Sequence, residues 1–153
     1  MIAEIVSLSG YESQASALLN EDERMAMEFY IACAPEDHPV IPGAGGFRKA
    51  RWARRGKGKR GGLRVVYFFV AEPGRIYRRR IIMGVRILKT GTKRRTKLGM
   101  ELERSAREIL AHVKGEARLP MRRIALPDEV EVKRVRKKAR KSHRQFHHLN
   151  VLL

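Results

Sequence analysis

The chain has 153 residues, of which 43% are hydrophobic, enough for a folded core and too many for a disordered chain. It carries 34 Lys and Arg against 16 Asp and Glu, and its formal net charge of +18 favours a polyanionic partner, RNA or DNA first. The sequence has no long apolar run and no basic region before its apolar start, so we expect neither a membrane span nor a signal peptide. Its single cysteine, Cys33, excludes an internal disulfide, suits a reducing cytoplasm and is expected to be a small buried hydrophobe.

The N-terminal part of the sequence predicts a strand followed by two helices. Residues 2–8 form an apolar run suited to a strand, and Ser9 and Glu12 have the spacing of a capping box at a first helix. Asn20 and Glu23 have the same spacing at a second helix, whose acidic residues we expect to face solvent. The residues expected on the buried face of this second helix are Met25, Phe29, Ala32 and Cys33.

The positive charge is concentrated in residues 46–97, which contain 19 Lys and Arg and one acidic residue. An alternating pattern places Lys49 and Arg51 on the same face of a first strand in this block. The strongest strand pattern of the chain follows at 63–70, and Arg75 begins a third strand. We therefore expect the charge to lie on a folded sheet.

Beyond a basic linker at 89–97, the sequence predicts mainly helices. Apolar spacing predicts a helix that Gly115 ends, and a short strand follows at 119–126. Asp128 and Ser142 each begin a capping box, so the two helices that they start have the order of a helix-turn-helix. The residues that follow do not predict a recognition helix, and we expect the motif to be incomplete.

Two short motifs suggest ligand sites that we do not favour. Gly56, Gly58 and Gly61 match a dinucleotide-binding pattern, but they lead into a strand, whereas a pyrophosphate site needs a helix N-terminus. We interpret this loop as either gripping phosphates or simply solvated. His143 and His147 have the spacing of metal ligands on a helix, yet no cysteine or carboxylate accompanies them, so we expect neither a metal nor a cofactor.

The residues best suited to chemistry are Lys49, Arg51 and Arg64, with Arg64 one hairpin loop away from the other two. In RNA cleavage without a metal, the ribose 2′-OH attacks its own 3′-phosphate, and guanidinium groups stabilise the charge on the phosphoryl oxygens. Positive neighbours disfavour an ammonium group, so a lysine in such a cluster can act as a general base. The residues alone favour plain phosphate binding over catalysis. Further candidate nucleic-acid-binding residues are Arg48, Arg54, Arg55, Lys57, Lys59 and Arg60.

Three stretches of sequence carry a more specific signal than composition. They are P-E-D-H-P-V-I-P-G at 35–43, P-G-A-G-G-F-R-K-A-R-W-A at 42–53 and G-K-G-K-R-G-G-L-R-V-V-Y-F-F at 56–69. In this order they resemble the RelE/HigB family of bacterial toxins, and the resemblance spans residues 1–77.

The resemblance implies a small α/β domain in which two N-terminal helices pack against a twisted antiparallel sheet. It implies an mRNA endoribonuclease that cuts in the ribosomal A site without a metal. By the same resemblance Lys49 is a base or a charge stabiliser, and Arg51 and Arg64 clamp the phosphate. After Tyr77 the chain departs from the family, because the residues at 78–80 are all arginines where the family has an apolar strand. The tyrosine and lysine that supply the family's remaining catalytic groups are not in place, so this atypical strand could impair catalysis. Three consecutive arginines must place at least one side chain on the core face of a strand.

A second resemblance begins near Lys93. The stretch K-L-G-M-E-L-E-R-S-A-R-E-I-L-A-H-V-K-G-E and the residues up to 146 resemble the N-terminal part of a HigA-type antitoxin. Such proteins bind the toxin, and they bind operator DNA through a helix-turn-helix. The sequence H-H-L-N-V-L-L stands here in place of the recognition helix, which limits any operator binding to a complex with the antitoxin.

We therefore predict an α/β (α+β) fold with three parts. Residues 1–88 form a RelE/HigB-like domain, 89–97 a basic linker, and 98–153 a truncated antitoxin-like helical segment. The predicted function is the toxin of a type II toxin–antitoxin system, a cytoplasmic, metal-independent endoribonuclease that acts on ribosome-bound mRNA and has a cognate HigA/RelB-type antitoxin. The alternatives are a non-catalytic basic nucleic-acid-binding protein and an inactive, self-neutralised toxin–antitoxin fusion.

Overall fold

The computed structural model describes residues 2–53, 62–72, 74–83 and 97–126. Within these ranges the chain is a mixed α+β fold with five strands and three helices, which confirms the predicted class. In chain order the elements are β1 (Ile2–Ser7), α1 (Tyr11–Leu18), α2 (Glu21–Cys33), β2 (Arg48–Trp52), β3 (Leu63–Val70), β4 (Arg75–Met83), α3 (Lys97–Val113) and β5 (Met121–Ala125). The predicted helix-turn-helix lies outside the described residues.

The five strands form one mixed sheet in the order β2-β3-β4-β1-β5. The pairs β2–β3, β3–β4 and β1–β5 are antiparallel, whereas β1 and β4 run parallel. The expectation of a wholly antiparallel sheet is therefore wrong at the β1–β4 pair. Parallel neighbours need a long crossover connection, and α1 and α2 lie in the connection between these two strands.

Both faces of the sheet are covered. One face is covered by the helical hairpin of α1 and α2 and is called the hairpin face below. It buries Tyr11, Ile31 and Val65 among other apolar side chains. The opposite face, called the α3 face below, is covered by α3 and by the loop before β2, and it buries Val66 and Tyr77. Because β-strand side chains alternate between faces, β1, β3 and β4 contribute to both cores.

Residues 98–126, which the sequence predicts to belong to a separate segment, contact this sheet directly. The apolar side of α3, which includes Leu98, Leu102 and Ile109, packs on the α3 face. Near the end of α3, His112 Nδ1 lies 3.1 Å from the hydroxyl oxygen of Tyr77, whose pKa is raised chiefly by burial. β5 extends the sheet by pairing with β1. The division into domains stays a prediction.

The start of α1 differs from the predicted capping box. Gly10 occupies the N-cap position with φ 79°, and no side chain caps the helix. Ser9 instead donates through its backbone N and its Oγ to Glu108 Oε1 of α3, at 2.8 and 2.6 Å. Glu12 accepts from Arg24. Both members of the predicted box are therefore used by long-range contacts, which a local sequence pattern does not reveal.

The start of α2 confirms the capping box of Asn20 and Glu23. The buried side of α2, however, differs from the prediction, since Met25 is 45% exposed and Glu28 is only 1% exposed. The expectation that the acidic residues of this helix face solvent is wrong for Glu28, because its carboxylate binds Arg24 and Arg78 inside the hairpin face. Cys33 is buried as predicted.

A β-bulge explains how β4 accommodates three consecutive arginines. Val66 of β3 pairs with Arg80 and Tyr67 pairs with Arg78, so Arg79 is the extra residue of β4. Arg78 enters the hairpin face, where it is 1% exposed, and Arg80 forms an ion pair with Glu101 of α3. The prediction that at least one of these arginines lies in the core is confirmed.

Candidate nucleic-acid interface

The predicted catalytic residues lie together on one face of the sheet. Arg51 of β2 is directly opposite Arg64 of β3, and Lys49 is opposite Val66. The neighbours of Lys49 and Arg51 along β2, Ala50 and Trp52, are buried in the hairpin-face core. Alternation therefore directs Lys49 and Arg51 to the α3 face, and the same argument applies to Arg64, which lies between two residues of the hairpin-face core.

The electrostatics of this arrangement favour an anionic ligand. In a directly opposed antiparallel pair the Cβ atoms lie about 5 Å apart, and like charges at this spacing destabilise a sheet. An anion between the guanidinium groups of Arg51 and Arg64 would reduce this repulsion. Arg51 is exposed, while Lys49 and Arg64 are half-buried, so an extended polyanion can reach all three. We call Lys49, Arg51 and Arg64 the basic triad.

A fourth cation, Arg80, shares a row of the sheet with Lys49 of the basic triad. Val66 pairs with Lys49 on one side and with Arg80 on the other, so these three residues form one row across β2, β3 and β4. With strands about 4.8 Å apart, the backbones of Lys49 and Arg80 are separated by roughly 10 Å. Arg80 Nη1 lies 2.8 Å from Glu101 Oε2 of α3. The sequence pattern does not single out Arg80 as a site residue, although the run of arginines and its break in alternation mark the place.

Arg48, predicted to bind nucleic acid, lies on the other side of β2. It pairs with Tyr67, which belongs to the hairpin-face core. Its Nη1 donates to the carbonyl oxygens of Glu36 and His38, both at 2.8 Å. The structure therefore does not bring Arg48 to the basic triad, and its visible contacts hold the loop before β2. The other predicted nucleic-acid-binding residues, Arg54, Arg55, Lys57, Lys59 and Arg60, lie outside the described residues.

Within the described ranges, no group of three or more His, Cys, Asp or Glu side chains is arranged to hold a metal ion. His143 and His147, which we do not expect to form a metal site, lie outside these ranges. None of the helices in the described part of the chain has both the length and the apolar character needed to cross a membrane.

Comparison with known protein families adds no assignment, since no family model matches the chain. The candidate site therefore depends on its own geometry. That geometry consists of an opposed arginine pair, a neighbouring lysine and a third arginine, Arg80, which pairs with a carboxylate of α3.

Proposed function

We propose that this protein is an RNA-cleaving toxin of the RelE/HigB type that acts on ribosome-bound mRNA in the cytoplasm. The observation that carries the proposal is the direct pairing of Arg51 with Arg64 beside Lys49 on one face of the sheet. Two helices precede the strands that carry these residues, an order compatible with a RelE-like domain. A cognate HigA/RelB-type antitoxin is the protein partner that this function requires.

In the proposed reaction the three members of the basic triad have different roles. Arg51 and Arg64 hold the scissile phosphate and stabilise the charge that develops on its oxygens. Lys49 removes the proton from the ribose 2′-OH, whose oxygen then attacks the adjacent phosphorus. The bond from phosphorus to the 5′-oxygen breaks, and this oxygen takes up a proton from water. The products are a 2′,3′-cyclic phosphate and a 5′-hydroxyl end, and no metal ion takes part.

A non-catalytic nucleic-acid-binding protein is the second candidate. The same opposed arginines favour it, because contacts to phosphates supply most of the affinity for a nucleic acid and need no general base. The two candidates differ at Lys49. An enzyme needs this side chain to accept a proton, whereas a binding protein needs only its charge.

The shared claim of both candidates is that the arginine pair contacts phosphates. Arg51→Ala and Arg64→Ala are each expected to weaken binding of single-stranded RNA and to flatten the plot of log affinity against log salt concentration. The slope should change by about 0.7 for each phosphate that the variant no longer neutralises. Fluorescence anisotropy of a short labelled RNA, measured across a salt series, checks this result.

The matched control is Arg118→Ala, which removes the same charge from a position between α3 and β5. This variant is expected to keep the slope of the parent protein. If the slopes of the Arg51 and Arg64 variants also remain unchanged, these residues do not contact RNA and the proposed function is contradicted.

A further inference from the structure

We propose that Arg80 is a fourth RNA-contacting residue and that Glu101 of α3 masks it in the resting protein. This inference builds on the proposed function, because it concerns the same surface. In this view the carboxylate of Glu101 occupies the position of an RNA phosphate. RNA must displace this carboxylate to contact Arg80 together with the basic triad.

The position of Arg80 supports the first half of the proposal. Arg80 and Lys49 pair with the same residue, Val66, from opposite sides, so one row of the sheet carries both cations. Arg79, the extra residue of the bulge, is 5% exposed and donates to the backbone oxygen of Ser9, and is therefore committed to the fold. The Arg80 side chain is 38% exposed and remains accessible from solvent.

The position of Glu101 supports the second half. Its carboxylate lies 2.8 Å from Arg80 Nη1, the distance expected for a charge-assisted hydrogen bond. The residues that anchor this part of α3 are Leu98 and Leu102, which are buried against the α3 face on either side of Glu101 along the chain. The packing of Leu98 and Leu102 thus holds Glu101 next to Arg80 independently of the ion pair.

The ion pair itself has the properties of an exchangeable contact. An ion pair that retains access to water contributes little net stability, because solvent screens it and ordering two long side chains costs entropy. A phosphate offers Arg80 the same kind of acceptor oxygen, and it arrives already held by the neighbouring arginines and lysine. Exchange of the Glu101 carboxylate for phosphate therefore requires no rearrangement of the sheet.

The test compares RNA binding by Glu101→Gln and Glu103→Gln in the full chain, with the labelled RNA and salt series described above. Both changes remove one negative charge from α3, but Glu103 is exposed and Glu101 alone of the two pairs with Arg80. Glu101→Gln is expected to raise RNA affinity roughly tenfold, the effect of one further charge-assisted contact. It should also steepen the salt slope by about 0.7, while Glu103→Gln should change neither.

Arg80→Gln provides a second, independent test that does not alter α3. Because Arg80 is masked at rest, Arg80→Gln alone is expected to leave the RNA affinity close to that of the parent protein. Combined with Glu101→Gln, it is expected to abolish the increase in RNA affinity that Glu101→Gln causes. Equal effects of Glu101→Gln and Glu103→Gln would overturn the proposal. So would a fall in affinity in Arg80→Gln as large as that in Arg51→Ala, since Arg80 would then already contact RNA.

The proposed function and the masking of Arg80 can fail separately. If Arg51→Ala and Arg64→Ala weaken RNA binding but Glu101→Gln has no effect, the masking of Arg80 is wrong and the proposed function stands. If none of the arginine variants alters the binding of RNA, the proposed function itself is wrong. Thermal unfolding of each variant, compared with that of the parent, tests whether a change in RNA affinity arises from loss of the fold.

Discussion

Replacing Glu28 with glutamine is expected to destabilise the protein by about 3–5 kcal/mol, the cost of removing one partner from a buried ion pair. Glu28 Oε1 accepts from Arg24 Nε at 3.0 Å and from Arg78 Nη1, and all three residues are buried. Arg78 also donates to Ser7 Oγ at 2.6 Å, and its guanidinium lies 4.4 Å from the centroid of the Tyr11 ring. Glutamine keeps the size of the side chain but removes the buried carboxylate that Arg24 and Arg78 share, which leaves Glu12 as the carboxylate facing both guanidinium groups.

The measurement is denaturant unfolding of the Glu28→Gln variant, with Glu103→Gln as the control for removal of an exposed carboxylate. Adding Arg78→Met to Glu28→Gln should recover part of the stability, because it removes one of the two buried arginines that lose Glu28 as a partner. Burial lowers the pKa of Arg78, the direction expected when a charged guanidinium is held away from water. A destabilisation below about 1 kcal/mol, the value typical of surface pairs, would mean that the cluster does not stabilise the fold as described.

Replacing Lys49 with arginine is expected to lower the rate of RNA cleavage by about 10²–10⁴-fold while leaving RNA affinity unchanged. Arginine keeps the positive charge at this position of the α3 face, but it does not lose its proton at neutral pH and cannot act as a general base. Lys49→Ala should lower both rate and affinity. The comparison separates the proposed role in proton transfer from the role in phosphate binding.

Single-turnover cleavage rates and anisotropy, measured on the same preparations, check this prediction. Arg118→Ala is the control for a change of charge distant from the basic triad in sequence. If Lys49→Arg cleaves RNA as fast as the parent, Lys49 stabilises charge and the general base must be sought elsewhere. If no preparation cleaves RNA but all bind it, the non-catalytic candidate is the better description.

Local patterns in the sequence predict the elements of the sheet and the neighbours within it. Alternation in β2 places Lys49 and Arg51 on one face, and the hairpin to β3 then brings Arg64 opposite Arg51. The capping box of Asn20 is equally predictable, because both of its partners lie within one helical turn. These features depend on residues that are close together in the sequence.

The features that differ from prediction depend on contacts between distant residues. Glu28 is acidic and lies on a helix, which predicts a solvent-facing side chain, yet its partner Arg78 comes 50 residues later. Ser9 fits a local cap by its spacing, yet its partner Glu108 comes 99 residues later. A bulge admits the run of arginines in β4, and the register that creates it depends on β3. The ion pair between Glu101 and Arg80 is not predicted, because nothing near Glu101 in the sequence marks Arg80 as its partner.

The proposed masking of Arg80 is related to one of the alternatives predicted from the sequence, the self-neutralised toxin–antitoxin fusion. α3 packs on the same face as the basic triad, and its Glu101 pairs with Arg80, which shares a row of the sheet with Lys49. If α3 masks Arg80 in this way, we expect RNA binding to be weakened and not abolished.

The most direct test of the proposed function is the chemistry of the RNA ends produced by the full chain from ribosome-bound mRNA. We expect fragments with a 2′,3′-cyclic phosphate and a 5′-hydroxyl, and no cleavage of an mRNA that carries a 2′-deoxy sugar at the cut position. Intact mRNA after incubation, or cleavage of the 2′-deoxy substrate at the same rate, would contradict the proposed function.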